Sequence, residues 1–411
     1  MKIVIKTLGC KANRYESDKI QDTFEKNNYV ADVQQYQLPD ADVILINTCT
    51  VTHIADRKSR QALSTIKNRF PEAKTIIFGC GANTNKDEYQ ALPNVDYIVQ
   101  KRKDLYDLLN KLSKEFPDTC SQTDLPENRT RSLIKIQDGC NNFCTYCIIP
   151  YARGREKSIP LKKVLIEIKE KISNGYKEIV LTGINIGTWH DDGKDLADLI
   201  ETILKETGLS RLRLGSIEPQ NYPAKFYRLF KNKRFCPHIH VSLQSGSDEI
   251  LKKMNRHYDK ALFTSMVNSL REAAPEIGIT TDIIVGFPGE TDKLFEETME
   301  YIQQINFSKI HVFPYSKRKG TLAASMKDQV PYETKKKRCE QMAKIEKLMR
   351  KRFYEKHMGT KQSVLVEAVN KNGLSKGFTP NYIQVRMNLK GLPIKQNDII
   401  EITLGEKNGK I

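Results

Sequence analysis

The chain has 411 residues, 39% of them hydrophobic and 28% charged, with nine cysteines and a formal net charge of +17. That length exceeds one ordinary core and implies two or three domains, while no apolar run approaches the length of a membrane-spanning helix. MKIVIKTLGC leads straight into a motif rather than a cleavage site, so the expectation is a cytoplasmic protein whose excess of cations faces a polyanion, a merely soluble basic surface being the alternative.

In the first third, apolar β-branched runs at Lys2–Leu8, Val43–Ile46, Thr75–Phe78 and Tyr97–Val99 alternate with helical stretches such as Asn13–Lys26 and Ala55–Phe70. The alternation predicts a doubly wound parallel sheet. Cys10, Cys49 and Cys80 each follow one of the first three runs, in LGC, NTC and FGC. Parallel strands share a carboxyl edge, where residues distant in sequence converge. A single cysteine there is explained by its small buried side chain, but three repetitions predict one shared site. Gly9, Thr48, Gly79 and Gly81 flank them and leave room for a bulky inorganic group to approach the backbone. Cys120, in a polar connector, and Cys236 and Cys339, outside any motif, receive no ligand role.

The stretch GCNNFCTYC places Cys140, Cys144 and Cys147 in a C-x3-C-x2-C loop. Three thiolates this close suit an iron-sulfur cluster or a zinc ion. No fourth Cys or His follows at finger spacing, so the count favours a cubane with three irons held by the protein and one open. From Ser132 the alternation restarts in SLIKIQ, EIVLTG, RLRLGSI, HIHVSLQ, DIIVGFP and KIHVFPYS, six β-α units that predict a barrel or partial barrel with its working loops at the strand carboxyl ends. Gly183 and Asn185, Glu218, Gln244 and Gly286 stand at such ends. Arg153 and Arg155 come just after the cysteine loop, as receptors for a substrate anion or as a solvated basic face. His238 and His240 share a strand face, which core packing or a strand edge explains.

Tyr332 to His357 reads as one long basic helix. After Gly359 short strands separated by Gly and Asn turns predict a small β-barrel, with Tyr382 beside Lys376 and Arg386 as a place where nucleic acid would stack, a core position being the alternative.

The cysteine loop, with Tyr146 before its last cysteine, resembles that of the radical S-adenosylmethionine (SAM) enzymes. LGCKANRYES, NTCTVT and GC resemble the N-terminal domain of the methylthiotransferases within that group, and G-x-T-x-N-Y-I at Gly377–Ile383 resembles a TRAM domain, an OB-like RNA-binding module. The resemblance implies segments 1–118 (methylthiotransferase N-terminal domain), 126–356 (radical SAM core) and 357–411 (TRAM). It implies two 4Fe-4S clusters, an auxiliary one on Cys10, Cys49 and Cys80 and a SAM-binding one on Cys140, Cys144 and Cys147. Tyr146, Gly183, Asn185, Glu218, Gln244 and Gly286 would line the SAM site. NTCTVTHIADRKSR is most similar to the branch acting on N6-threonylcarbamoyladenosine at position 37 of tRNA; the alternatives are the branches acting on isopentenyladenosine and on a ribosomal-protein aspartate. A different class would be an RNA-binding iron-sulfur protein for electron transfer or sensing. The implied partners are tRNA, a low-potential donor of flavodoxin or ferredoxin type, and a sulfur source. For the threonyl carboxylate, the expected receptor is a helix capped by Thr52 and carrying Arg57, Lys58 and Arg60, with a solvent face as the alternative.

Overall fold

The computed structural model describes residues 1–25, 30–33, 38, 40–116, 130–220, 222–370 and 372–405. These fall into two compact units, one of residues 1–127, 138–156 and 316–324, the other of 128–137, 157–315 and 325–411. Cys120 lies outside the described residues.

The first unit contains a parallel sheet of β1 (Lys2–Thr7), β2 (Val30–Val33), β3 (Val43–Thr48), β4 (Lys74–Gly79) and β5 (Tyr97–Ile98), in the order β2-β1-β3-β4-β5. This is a doubly wound order, and its connections part between β1 and β3. β3 is buried along its whole length, as a strand covered on both faces must be. One apolar cluster, around Ile3, Leu45 and Leu105, and another, around Val4, Ile46 and Leu63, accordingly build separate cores from alternate residues of the same strands. The four apolar runs of the sequence are all strands. β2, VADV, is an additional one, too short and too polar to stand out in the sequence. Helices α1 (Lys11–Glu25), α2 (His53–Arg69) and the short α3 (Cys80–Thr84) leave the carboxyl ends of β1, β3 and β4. The same unit includes the cysteine loop and the short α4 (Ile149–Arg153) that follows it.

In the second unit the parallel strands β6 (Arg131–Lys135), β7 (Glu178–Thr182) and β8 (Arg211–Leu214) form one sheet in chain order. β9 (Ser216–Ile217), β10 (His238–Val241), β11 (Gly278–Val285) and β12 (Lys309–Pro314) form the next, also in chain order. The six β-α units of the sequence are therefore present as an α/β array. Its core, from Ile134 through Trp189 and Phe263 to Met349, is continuous and includes α5 (Tyr332–His357), the long helix read from the sequence. A four-stranded antiparallel sheet follows: β13 (Lys361–Val369), β14 (Leu374–Phe378), β15 (Gln384–Asn388) and β16 (Ile399–Thr403), ordered β15-β14-β13-β16. Among the described residues no helix is long and apolar enough to cross a membrane.

Charged residues at the amino ends of the array's strands fasten the C-terminal sheet. Arg211 donates to the carbonyls of Phe378 (3.0 Å) and Ser363 (2.9 Å), and Arg213 to that of Pro380 (2.9 Å). Arg131 donates to the Tyr382 hydroxyl (2.8 Å) and pairs with Glu367. The Tyr382 ring lies under the Arg213 guanidinium at 4.6 Å and against Phe378 and His238. Tyr382 is thus consumed by this contact, where the sequence had allowed nucleic-acid stacking. Gly278 is required here, since a Cβ would stand 2.4 Å from the Asn381 carbonyl oxygen.

Glu178, fully buried, supplies the counter-charge through Arg213 Nε at 2.8 Å. Burial alone raises a carboxyl, but Arg213, Arg131 and Arg211 outweigh it and hold Glu178 below its ordinary value of 4.5. A group lowered on folding adds stability that is complete above its unfolded pKa and is lost as the pH falls through the folded one. Glu178→Gln is expected to cost about 3–5 kcal/mol in denaturant unfolding near neutrality, because it strands buried guanidinium groups. The variant should also lose less further stability than the parent on acidification below about pH 4.5.

Candidate functional site: two cysteine sets in one unit

The strand ends of the first unit meet at Asn13, a fully buried residue of α1. Its amide nitrogen donates to the carbonyls of Leu8 (3.0 Å) and Thr48 (3.0 Å) and to Asn47 Oδ1 (3.2 Å). Its Oδ1 lies 3.6 Å from Cys10 Sγ and 3.8 Å from Cys80 Sγ. Cys49 comes in from the other side: a Cβ on Gly9 would sit 3.0 Å from its sulfur, and Gly9 has φ +109°, open to glycine. The fold therefore gathers Cys10, Cys49 and Cys80 at the edge foreseen. A Cβ on Gly79 would strike Asn47 and one on Gly81 would strike Thr48, so both glycines permit close packing of the loops around the cysteines.

Cys10 is exposed, while Cys49 and Cys80 are buried. Burial raises both buried thiols; Cys80 is pushed up to about 12 even though Arg153 beside it acts in the opposite direction. A coordinated metal would deprotonate them, because the ligand is the thiolate.

The second set lies in the loop before α4. Cys147 N–H donates to the Cys144 carbonyl (2.9 Å) and Cys140 N–H to that of Gly154 (3.2 Å). Gly139, at φ +73°, lies so close to Arg155 that a Cβ would be 2.1 Å from its carbonyl oxygen. The loop is buttressed from residues 316–324, where Ala323 N–H donates to the Thr145 carbonyl (2.8 Å). Among the described residues no group of three or more His, Cys, Asp or Glu is placed to hold a single metal ion. The donors around the sulfurs nevertheless suit a larger, thiolate-ligated group: Asn142 N–H points at Cys140 Sγ (3.4 Å) and Arg153 Nε–H at Cys80 Sγ (3.2 Å). Such N–H···S contacts are a means by which proteins tune iron-sulfur clusters.

In the second unit, Gly183 and Asn185, Glu218, Gln244 and Gly286 stand beyond the carboxyl ends of β7, β9, β10 and β11, at one edge. Ile184 and Asn185 N–H both donate to Gln137 Oε1 (3.1 and 2.8 Å), so a glutamine in IQDGC that carried no signal in the sequence fixes this turn. Gly183 packs on the Gln137 carbonyl. Glu218 is paired with Arg256. Gln244, at φ +70°, is bonded through its backbone across β11. Gly286, also at φ +70°, donates its N–H to Glu290 Oε2 (2.6 Å). Tyr146 is half-buried in the cysteine loop.

Arg153 departs from both expectations: its side chain is buried against protein groups, so it is neither a receptor for a substrate anion nor a solvated face. Arg155 is exposed, as a basic face would be, and lies over the Phe143 ring at 4.4 Å. At the start of α2, Thr52 Oγ1 accepts from Ala55 N–H (3.1 Å) and His53 N–H donates to Ser316 Oγ (3.2 Å). These N-terminal donors are therefore spent within the protein. The buried Asp56 in the same turn takes Arg318, which also donates to Thr50 (2.7 Å). Arg60 pairs with Glu88, and Arg57 and Lys58 are exposed. The expected carboxylate receptor thus keeps exposed cations, while two of the donors at its helix end are taken by Thr52 and Ser316. Arg318 stands 262 residues from Asp56, beyond the reach of any local motif.

Fold and cysteine loop together define an α/β enzyme of the radical SAM class. The model of the Radical SAM superfamily matches residues 134–302, and that of uncharacterized protein family UPF0004 matches residues 2–100. The chain is similar to the threonylcarbamoyladenosine tRNA methylthiotransferase MtaB of Thermotoga maritima, at 39% identity over 92% of this chain and 90% of that one. It is 36% identical to the tRNA-2-methylthio-N(6)-dimethylallyladenosine synthase of Clostridium botulinum, over 90% and 87%. The chain belongs to the radical SAM methylthiotransferase family, whose members use SAM and 4Fe-4S clusters. In fold it also resembles the radical SAM methyltransferase TsrM of Kitasatospora setae, with a TM-score of 0.60 at 13% identity over 79% of this chain and 77% of that one.

Asn13→Ala removes the acceptor shared by Cys10, Cys80 and Arg153 along with three donated bonds. Thermal unfolding of the metal-free chain is expected to show a loss of about 1–3 kcal/mol. Lys58→Ala, on the exposed face of α2, should stay within about 0.5 kcal/mol of the parent.

Proposed function

We propose that this enzyme attaches a methylthio group to N6-threonylcarbamoyladenosine at position 37 of tRNA, giving the 2-methylthio derivative. The observation that carries the reading is the pairing of two three-cysteine sets within one compact unit, and relatives of the MtaB type at 33–39% identity support the choice of base. In this reading Cys140, Cys144 and Cys147 hold the SAM-binding cluster, and Cys10, Cys49 and Cys80 the auxiliary one. Bound there, the clusters supply the electron that cleaves SAM and hold the sulfur to be attached. The protein's part is to orient and to exclude water. Gln137 holds the Ile184–Asn185 turn and Glu290 holds the Gly286 turn, and the family resemblance assigns Gly183, Asn185, Glu218, Gln244, Gly286 and Tyr146 to SAM. With Glu218 committed to Arg256, the pair rather than a free carboxylate faces the ligand. A low-potential donor of flavodoxin or ferredoxin type and a sulfur source complete the reaction, and a tRNA substrate goes with work in the cytoplasm.

Residues 357–411 act as a TRAM domain on the RNA. The exposed Lys376 and Arg386 are cross-strand partners on β14 and β15, with Lys390 exposed further along. Like charges opposite each other cost stability, an arrangement that a phosphate relieves. Lys376→Ala with Arg386→Ala is expected to lower the slope of log K against log salt for tRNA binding by about 0.7–0.9 per lost contact. Filter binding across a salt series measures it, and an unchanged slope would move RNA contact elsewhere.

The second reading, methylthiolation of isopentenyladenosine, is favoured by the Clostridium botulinum relative. Nucleoside mass spectrometry of tRNA from cells lacking the protein separates the two. Loss of 2-methylthio-N6-threonylcarbamoyladenosine alone is expected; loss of the isopentenyl derivative alone would reverse the assignment.

A further inference from the structure

Arg153 follows the cysteine loop by six residues in sequence, yet its buried side chain is bonded to α1 and to the start of α3. All five of its N–H groups are used. Nε donates to Cys80 Sγ (3.2 Å), Nη1 to Glu16 Oε1 (2.9 Å) and Asp138 Oδ1 (3.0 Å), and Nη2 to Asn13 Oδ1 (2.6 Å) and Glu16 Oε2 (3.2 Å). Arg102 Nη2 reaches Glu16 Oε1 as well, at 2.8 Å. An arginine kept only to neutralise Glu16 and Asp138 needs no bond to a sulfur. This one touches a ligand of the first set directly, touches through Asn13 the acceptor that Cys10 and Cys80 share, and through Asp138 holds the residue two before Cys140.

We infer that Arg153 is a positioning residue that fastens the two cysteine sets to each other and raises the reduction potential of the auxiliary cluster. The inference rests on the proposed ligation of that cluster by Cys10, Cys49 and Cys80. A cluster gains negative charge on reduction, and an N–H···S bond from a cation stabilises the more negative form. Removing the guanidinium has two effects of the same sign: the sulfur loses its donor, and Glu16 and Asp138 lose their shared partner beside the site. Lysine cannot replace it, having three donors on one nitrogen where the site needs a fork spread over four residues.

The test uses the full chain in a Cys140/Cys144/Cys147→Ala background, so that one cluster is present and about four irons are bound. Absence of that cluster would withdraw the cysteine assignment and with it the role of Arg153. With the cluster present, EPR-monitored redox titration of Arg153→Gln is expected to give a lower midpoint potential than the background at the same iron content. Arg153→Lys should shift it in the same direction by less, and Glu16→Gln, which removes a nearby anion, in the opposite direction. Opposite signs for the two partners are not produced by loosening of the fold. Equal potentials in all variants would overturn the proposal, as would loss of iron from both Arg153→Gln and Arg153→Lys, which would leave only a structural role.

Discussion

A single buried amide fixes the geometry of the N-terminal unit. Asn13 sits where the carboxyl ends of β1 and β3 part, and its three donated bonds tie the Leu8, Asn47 and Thr48 segments into one edge. Its oxygen then faces Cys10, Cys80 and Arg153 at once. A buried amide left unsatisfied is costly, so every bond it makes restrains a loop that carries chemistry. The alignment of parallel strands brings the cysteines to one edge; Asn13 sets how they face one another.

In the second unit, the two ends of the parallel array have separate tasks. The amino ends carry Arg131, Glu178 and Arg211, buried or nearly so, and these bind the C-terminal sheet through backbone carbonyls and the Tyr382 ring. The carboxyl ends carry the glycines and polar residues assigned to SAM. Stability and chemistry can then change independently, because a substitution at one edge lies a strand's length from the other.

The net charge of +17 is distributed in a way that composition conceals. Arg153, Arg211, Arg213, Arg256, Arg318 and Arg338 have internal partners and are buried or nearly so. Guanidinium forks suit such sites because they satisfy several acceptors in fixed directions. Lys376, Arg386 and Lys390 remain in solvent on the C-terminal sheet and are available to a polyanion.

The sequence by itself determined the class of fold, the strand ends at which Cys10, Cys49 and Cys80 stand, and the long helix from Tyr332 to His357. Each is written in local periodicity or short spacing, and alternating β-branched runs have few solutions other than parallel sheets. It also carried the family, since LGCKANRYES and the C-x3-C-x2-C loop are contiguous motifs. Tertiary structure alone decided the partners of the charged residues. Arg153 meets Glu16 across 137 positions, and Arg318 meets Asp56 across 262. Tyr382 turned from a candidate RNA contact into a docking residue because Arg131 and Arg213 project from strands that precede it by well over a hundred residues. A hydrogen bond forms where the folded chain brings donor and acceptor within about 3 Å, and no local pattern in a sequence records which distant residue will be there.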